Sequence, residues 1–388
     1  MGMIDYFRKD SAPEQKASAA GPIISYHSAG RVVWSPRDVA SLTRTGFQGN
    51  PVGFRAVKLI AEAAAALPLI CQDDTARYEV HPVIDLLARP NAAQGRAELL
   101  EALYGQLVLT GNGYLEAVAA EEGAPVELHV LRSDRMSVVP GPDGWPMAYD
   151  YTVGGRKHRF EMGPRAPVLH VKTFHPQDDH YGHSAMQAAA QAVDVHNSAS
   201  GWSKALLDNA ARPSGALVYD GPDGASMSAE QFSRLSSELE AHHMGARNAG
   251  RPMLLEGGLD WKPMGFSSSD MEFHRTKDAA AREIALAFGV PPMLLGIPGE
   301  ATYANYQEAH RAFFRLTVLP LATRVTAAIS TWLEGFTGER VMLRPDLDQV
   351  PALSAERDAQ WARVAGAEFL TRAEKRALLG LPAEARDD

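Results

Sequence analysis

Apolar and aromatic residues recur at three- and four-residue spacings after position 302, the pattern of a helix that buries one face. The pattern extends to Leu333, which predicts a single helix about 50 Å long at about 1.5 Å per residue. Pro320 interrupts it, and we expect a kink there because the proline ring would collide with the carbonyl of Leu316. The buried stripe is expected to contain Tyr303, Tyr306, His310, Phe313, Phe314, Thr317 and Leu321.

Helical and strand-like patterns alternate in blocks over the rest of the chain. Between residues 113 and 174, short β-prone runs separated by Gly, Pro and Asp predict a mostly antiparallel sheet. Together with the helical blocks, this sheet indicates an α+β fold. The apolar spacing predicts further helices from Val52 to about Leu67, from Gly95 to Leu109, from Ala185 to Asn209 and from about Ser269 to Phe288.

A small β-α-β pattern lies between two of these long helices. Residues 216–220 predict one strand and residues 251–256 a second one. The helix between them is predicted from Ser228 to His243, because Ser228 and Gln231 form a capping-box pattern at its start. A compact mixed unit is therefore expected as an insert between the two helices.

The connection from residue 290 to residue 303 is predicted to be a loop. Gly289 is a favoured helix cap, and Pro291 and Pro292 cannot donate hydrogen bonds to a helix. Beyond them, Gly296 and Gly299 are expected to supply the bends, while the prolines stiffen the segment.

Composition and charge exclude several classes of protein. The net charge of -9 argues against binding nucleic acid through a basic surface. The single Cys71 permits no disulfide within the chain, and the N-terminus lacks the pattern of a signal peptide. The stretch from 284 to 298 is too short and too interrupted to span a bilayer. We therefore expect a protein of the reducing cytoplasm with no membrane segment, disordered over residues 1–21.

Catalytic patterns are weak in this sequence. His175, Asp179 and His183 are ligand types for a divalent metal, but their spacing matches no established site, and a polar loop before a helix is the simpler interpretation. The Gly-His-Ser-Ala-Met run at 182–186 lacks the second glycine of a nucleophile elbow. The chain has no Gly-Lys-Ser/Thr phosphate loop. We predict no catalytic residue, metal or cofactor, and keep a metal-dependent enzyme as an alternative.

The order of residues from 283 to 325, EIALAFGVPPMLLGIPGEATYANYQEAHRAFFRLTVLPLATRV, resembles the portal proteins of tailed bacteriophages in the HK97-like group. The resemblance implies a portal fold with a mixed α/β wing, two stem helices, a small β-α-β clip, a tunnel loop, a long kinked helix and a helical C-terminal crown. The implied segments are the wing at 22–183, stem helices at 184–214 and 267–289, the clip at 215–266, the tunnel loop at 290–303, the long helix and a following strand at 304–353, and the crown at 354–388.

The resemblance also implies a function. Portal proteins form a dodecameric ring at one capsid vertex, a conduit for double-stranded DNA that docks the large terminase, the head-tail adaptor protein and the major capsid protein. The expected location is the virion, after assembly in the bacterial cytoplasm, and the particle is either an infectious phage or a gene-transfer particle. Another ring or adaptor protein of the virion, such as a head-completion protein, stays an alternative.

By position in such a ring, the tunnel loop and the stem helices are expected to face the DNA channel. An acidic or mixed lining lets DNA slide, because a cationic lining would bind its phosphates. The stem cations Lys204, Arg275, Lys277 and Arg282 are expected either to contact phosphate sparsely or to pair with acidic residues of the next subunit. The predicted loop residues are Gly296, Gly299, Glu300, Thr302, Tyr303 and Asn305, with Glu300, Thr302 and Tyr303 projecting inward.

Overall fold

The computed structural model describes residue 35, residues 38–119, 123–208, 215–219, 259–263, 268–299 and 302–382, and a few positions between 228 and 237. The expected disorder of residues 1–21 lies outside these residues. The α-helices are α1 (Val39–Leu42), α2 (Pro51–Ala65), α3 (Pro82–Ala88), α4 (Arg96–Thr110), α5 (Ala185–Ala188), α6 (Ala190–Asp208), α7 (Ser268–Ala287), α8 (Tyr303–Phe313), α9 (Leu319–Thr337), α10 (Ser354–Ala365) and α11 (Arg372–Leu379).

The strands are short and all of the described pairings are antiparallel. They are β1 (Leu69–Gln72), β2 (Arg77–Tyr78), β3 (Asn112–Ala119), β4 (Pro125–Leu131), β5 (Met136–Pro140), β6 (Pro146–Val153), β7 (Arg156–Glu161), β8 (Val168–Lys172), β9 (Gly215–Tyr219), β10 (Leu259–Pro263) and β11 (Met342–Pro345). The predicted α+β class is confirmed.

The expected single sheet between residues 113 and 174 is instead two three-stranded sheets, ordered β4-β3-β8 and β5-β6-β7. A 3-10 turn at Ser133–Arg135 separates β4 from β5, so the chain leaves the first sheet before the second begins. A third sheet has the order β11-β1-β2. In it Cys71 lies opposite Leu343, so the two ends of the larger unit are joined by strand pairing.

The chain divides into two compact units, one made of residues 1–193 and 281–388 and the other of residues 194–280. The larger unit buries one main core, in which α2 and α4 pack together beside α9. Leu99, Leu103 and Leu107 of α4 are fully buried there, as their spacing predicts.

In the smaller unit β9 pairs with β10, and the ring of Trp202 on α6 stacks on Phe273 of α7 with centroids 4.1 Å apart. The strand predicted at 251–256 lies outside the described residues. The strand that pairs with β9 begins at Leu259, where apolar and polar residues alternate as in a β-strand, a short pattern that the sequence prediction missed.

The long helix continues through Pro320, where we expected a kink. Between α8 and α9 the chain makes a π-helical turn, Phe314–Val318, and Pro320 lies at the start of α9. A π turn widens the backbone and shifts its hydrogen bonds, which relieves the clash between a proline ring and the preceding carbonyls. The expected collision with Leu316 is therefore absorbed by the turn.

The helical run Ala304–Thr337 is long and apolar enough to cross a bilayer by length and composition alone. Its apolar residues instead serve the protein core, because Val325, Ile329 and Leu333 are buried against the rest of the larger unit. Among the described residues no other helix meets this test.

The segment from residue 174 to residue 184 connects β8, in the sheet β4-β3-β8, to α5. Gly182 lies so close to β3 that an added Cβ would approach the carbonyl oxygen of Gly111 to 2.0 Å, and its N–H donates to the side-chain oxygen of Asn112 at 2.8 Å. On the other side the Val138 N–H donates to the Tyr181 hydroxyl at 3.0 Å. Ser184 then caps α5 with a capping box to Gln187. The chain therefore enters α5 from a fixed point.

His170 is the polar centre of this joint. Its Nε2 lies 3.0 Å from the Asn112 side-chain oxygen, its Nδ1 lies 3.2 Å from the Tyr149 hydroxyl, and its ring stacks on Tyr114. Because the Asn112 oxygen only accepts, Nε2 carries the proton of the neutral ring. Burial lowers the pKa of His170 to about 3, and the positive charge of Lys172 adds to that effect.

We expect the protein to lose stability in mild acid through His170. An unfolded histidine has a pKa of about 6.5, so the unfolded chain takes up this proton first as pH falls below that value, costing on the order of 1 to 2 kcal/mol by pH 5. His170→Gln should therefore show a smaller fall of the thermal unfolding midpoint between pH 7 and pH 5. His158→Gln, on the exposed strand β7, should behave like the parent protein. Equal falls in all three would refute the assignment.

Candidate functional site

The end of α7 is fixed by a left-handed glycine. Gly289 has φ 64°, its N–H donates to the Leu286 carbonyl at 3.0 Å, and the Val290 N–H donates to the Ala285 carbonyl at 2.9 Å. This pair of bonds satisfies the last carbonyls of the helix and turns the chain sharply. The predicted helix stop at Gly289 is therefore observed.

The loop that follows contains one short 3-10 turn, Pro292–Leu295, with Pro292 in its first position. The expectation that this stretch contains no helix is wrong for these residues, since proline is tolerated in the first turn. Gly296 then takes φ 74°, the bend expected of it, whereas Gly299 stays outside the left-handed region.

The loop is fastened to α7 at two points. The Ile297 side chain is buried in a small cluster with Ala281 and Ala285. Next to Ala281 of this cluster, the guanidinium of Arg282 donates to the backbone carbonyl of Pro298. Arg282 therefore holds the loop of its own chain, a role that the sequence did not suggest.

A third fastening joins α7 to the long helix. The Thr317 hydroxyl, in the π turn, donates to the Gly289 carbonyl at 2.6 Å. A Cβ on Gly289 would approach the same hydroxyl to 2.9 Å, so the Thr317 side chain packs closely against the Gly289 backbone. Thr317 was expected only as a member of the apolar stripe, and the π turn is what directs it to α7.

The far end of the loop begins α8. Thr302 is the N-cap, and its hydroxyl accepts the Asn305 N–H at 3.2 Å, while Tyr303 is the first helical residue. Thr302 thus has a structural role in addition to any contact with a channel. Glu300 lies outside the described residues.

The remaining residues of the apolar stripe differ in how deeply they are buried. Phe313 is fully buried and Phe314 packs against the core, whereas Tyr306 is half exposed. On the outer side of α8 the Arg311 guanidinium lies 2.8 Å from Glu308 and 3.6 Å from Glu356, which leaves its charge neutralised within the chain. The described part of α8 therefore offers no strong cationic surface to DNA.

An apolar groove of about 390 Å³ opens between the end of α7 and the helical run of α8 with its π turn. Leu286 and Leu316 stand at its edges and are 80% and 75% exposed, although both are large and apolar. The residues between them are Ala285, Val290, Pro291 and Ala312. Exposed apolar surface of this kind marks a contact site for another protein surface.

The predicted stem cations lie on α6 and α7. Lys204 and Arg275 are exposed, and Lys277 is partly buried. The positive charge of Lys277 contributes, after burial, to a lowered pKa of His196 on α6. These residues lie on the two helices as expected. Arg282 differs from them because its guanidinium is bonded to the loop of its own chain.

The histidine and aspartate cluster forms a structured loop. The Asp178 carboxylate accepts the N–H groups of His180 and Tyr181 at 2.8 and 3.0 Å, and Lys172 donates to the carbonyl of Asp179. The rings of His175 and His183 contact each other with centroids 5.3 Å apart. Over the described ranges, no group of three or more His, Cys, Asp and Glu residues is arranged to hold a metal ion. The simpler interpretation, a polar loop before a helix, is the better one.

Comparison with known proteins identifies the family. The sequence model of the phage portal protein family matches residues 51–380. A chain in the neck of a native gene transfer agent (GTA) particle, computed with C12 symmetry, is 71% identical to this chain, with a TM-score of 0.73 over 92% of this chain and 96% of that one.

Two relatives extend the comparison. An uncharacterised protein of Rickettsia bellii is 38% identical over 341 residues, 87% of this chain and 88% of its own length. The portal protein of Enterobacteria phage HK97 is 24% identical over 289 residues, 72% of this chain and 66% of its own. Neither a different virion ring protein nor a metal-dependent enzyme is favoured by these matches. Because the family model covers most of the chain and the HK97 protein is among its relatives, this protein belongs to the phage portal protein family.

Proposed function

We propose that twelve copies of this chain form a portal ring at one capsid vertex of a gene-transfer particle and conduct double-stranded DNA during packaging and ejection. The observation that carries the proposal is the 71% identity to a chain of a GTA neck computed with C12 symmetry. Portal proteins are structural, and the proposed role needs no catalytic residue, cofactor or metal. The place of action is the virion, after assembly in the bacterial cytoplasm.

A closed ring needs two different faces on each subunit that fit each other. The groove beside Leu286 and Leu316 is a candidate for one of these faces, since its exposed leucines would be buried by the next copy. Burying a leucine side chain contributes about 1.5 to 3 kcal/mol. Repeated at every seam, this contribution favours the closed ring.

We expect the purified protein to have a native mass near twelve times 41.9 kDa. Leu286→Asp combined with Leu316→Asp should shift the population towards single chains, because two buried charges per seam would each cost several kcal/mol. Val80→Asp is the control, because Val80 is 79% exposed on the surface far along the chain from the groove. Native mass spectrometry across a range of salt concentrations provides the measurement. Only monomers or dimers of the parent protein would refute the ring.

The loop from 290 to 303 is proposed to line the channel at its narrowest point, with Glu300, Thr302 and Tyr303 projecting inward and Gly296, Gly299 and Asn305 shaping the backbone. The bonds from Arg282 and Thr317 let the loop and α7 shift together. Lys204, Arg275 and Lys277 are proposed to pair with acidic residues of the next subunit, while Arg282 remains with its own loop. The loop would then act as a soft, weakly charged constriction around DNA.

We expect Glu300→Lys to slow DNA passage without preventing ring formation. Thr302 is retained in this variant because it caps α8. Each copy would gain two units of positive charge at the constriction, and the packaged DNA per particle should fall roughly tenfold or more as phosphates are held. Glu79→Lys makes the same charge change on the exposed surface of the wing. The loop would be excluded from the channel if mutant heads, at matched assembly yield, contained full-length DNA.

The segment 215–266 is proposed as the clip, which docks the large terminase during packaging and the head-tail adaptor protein afterwards. The antiparallel pair β9-β10 is too small to be stable alone, since isolated two-stranded ribbons are marginal in water. Neighbouring copies would therefore complete its surface. The wing, at 22–183, is proposed to meet the major capsid protein.

We expect replacement of residues 220–256 by a short Gly-Ser linker to leave the larger unit folded, because this segment belongs to the other compact unit. Ring closure and terminase binding should both be lost. The measurements are the thermal unfolding of the larger unit, native mass, and co-purification with terminase. Normal rings that still package DNA would contradict the clip assignment.

A further inference from the structure

A second groove, of about 650 Å³, lies in the larger unit between α2 and α4, and no residue of the 290–303 loop lines it. Small residues form its floor, namely Ala61, Ala102 and Gly105. A Cβ added to Gly105 would meet no atom within 4 Å, so the floor is open at that position. An exposed apolar groove with a polar rim marks a site where another surface binds.

Two aromatic side chains form one wall of this α2-α4 groove. The rings of Phe47 and Phe54 lie 5.1 Å apart, and Phe54 is 42% exposed. The opposite rim is charged. It carries the carboxylates of Glu98 and Glu101 on α4. Lys58, on α2 with Phe54, reaches across to 3.3 Å from Glu101, so these three charged residues of the lining carry a net charge of one negative unit. The groove therefore suits a segment with apolar side chains and a positive charge.

The chain itself supplies such a segment. Residues 22–34 lie outside the described residues and contain Ile23, Ile24, Val32, Val33 and Trp34. Between positions 22 and 37 there is no Asp or Glu, and the charged residues there are Arg31 and Arg37. Apolar content and charge both complement the groove.

The described chain begins beside the groove. Asp38 caps α1, and the chain then runs through α1 and a π turn to Phe47 on the groove wall. Helical rise places Asp38 within about 15 Å of that wall. Thirteen residues can extend about 43 Å, so residues 22–34 reach the groove easily. A short connection also gives the segment a high effective concentration there, which favours its own chain over a neighbour.

We propose that residues 22–34 bind in the α2-α4 groove of the same chain, where their apolar side chains cover Phe47 and Phe54 and Arg31 faces Glu98 and Glu101. The segment completes the wing core from outside. This inference goes beyond the portal function and does not depend on it, because the contact lies within one chain.

The test is limited digestion of the full-length protein by trypsin, with mass spectrometry to follow single bonds. Cleavage after Arg31 should be at least about tenfold slower than cleavage after Lys16, since digestion follows the open population. Gly105→Leu fills the floor and should bring the two rates within about twofold. Gly201→Leu is the matched control, because Gly201 is also helical with no atom near its added Cβ.

One control shows that each variant is folded: the bond after Arg55, within α2, should resist cleavage. A second variant, Ala102→Leu, fills the groove at another position of its floor. Equal rates after Arg31 and Lys16 in the parent protein, or protection that survives both groove-filling variants, would overturn the proposal. Protection that disappears when rings are separated into single chains would assign the segment to a neighbour's groove and would also overturn it.

Discussion

The insertion of residues 194–280 into a larger unit imposes the main constraint on this structure. One helix must leave the unit and another must return, and a close contact at a glycine lies near each of these two points. On departure, Gly182 lies against Gly111 with no room for a side chain on either residue. On return, Gly289 lies against Thr317 of the π turn. Both contacts use the backbone of a glycine, so the start of α5 and the end of α7 are held without long, flexible side chains.

The π turn shows how one local compromise serves two needs. It accommodates Pro320 inside a helical run, and by the same shift it turns the Thr317 hydroxyl to the end of α7. With alanine in place of the proline, a regular helix could form without a clash. The Thr317 hydroxyl would then no longer be directed to the end of α7. The loop held by Arg282 and Ile297 therefore lies between two helices that are already joined.

Local chemistry in the sequence was sufficient for the features that depend on it. The helix stop at Gly289 and the capping box of Ser228 with Gln231 follow from residue type and spacing, and so do the buried leucines of α4. Features that depend on partners distant in sequence were not predictable in this way. The division into two sheets rests on strand pairing, and the role of Arg282 rests on a carbonyl of the returning loop. The expected function came from the family resemblance, because the spacing of residue types along the sequence did not indicate it.

The pairing of β1 with β11 joins two strands that the ribosome makes at very different times. Cys71 and Gln72 pair with Leu343 and Met342, the Ser330 hydroxyl accepts the Leu343 N–H, and the Arg344 guanidinium donates to the Gln72 side chain at 2.8 Å. At about 5 to 20 residues per second, a ribosome needs roughly 15 to 50 s to add the missing strand after β1 emerges. During that time β1 has an open edge that other chains can pair with. Only a chain translated almost to its end can close this sheet, so prematurely terminated chains are left without its third strand.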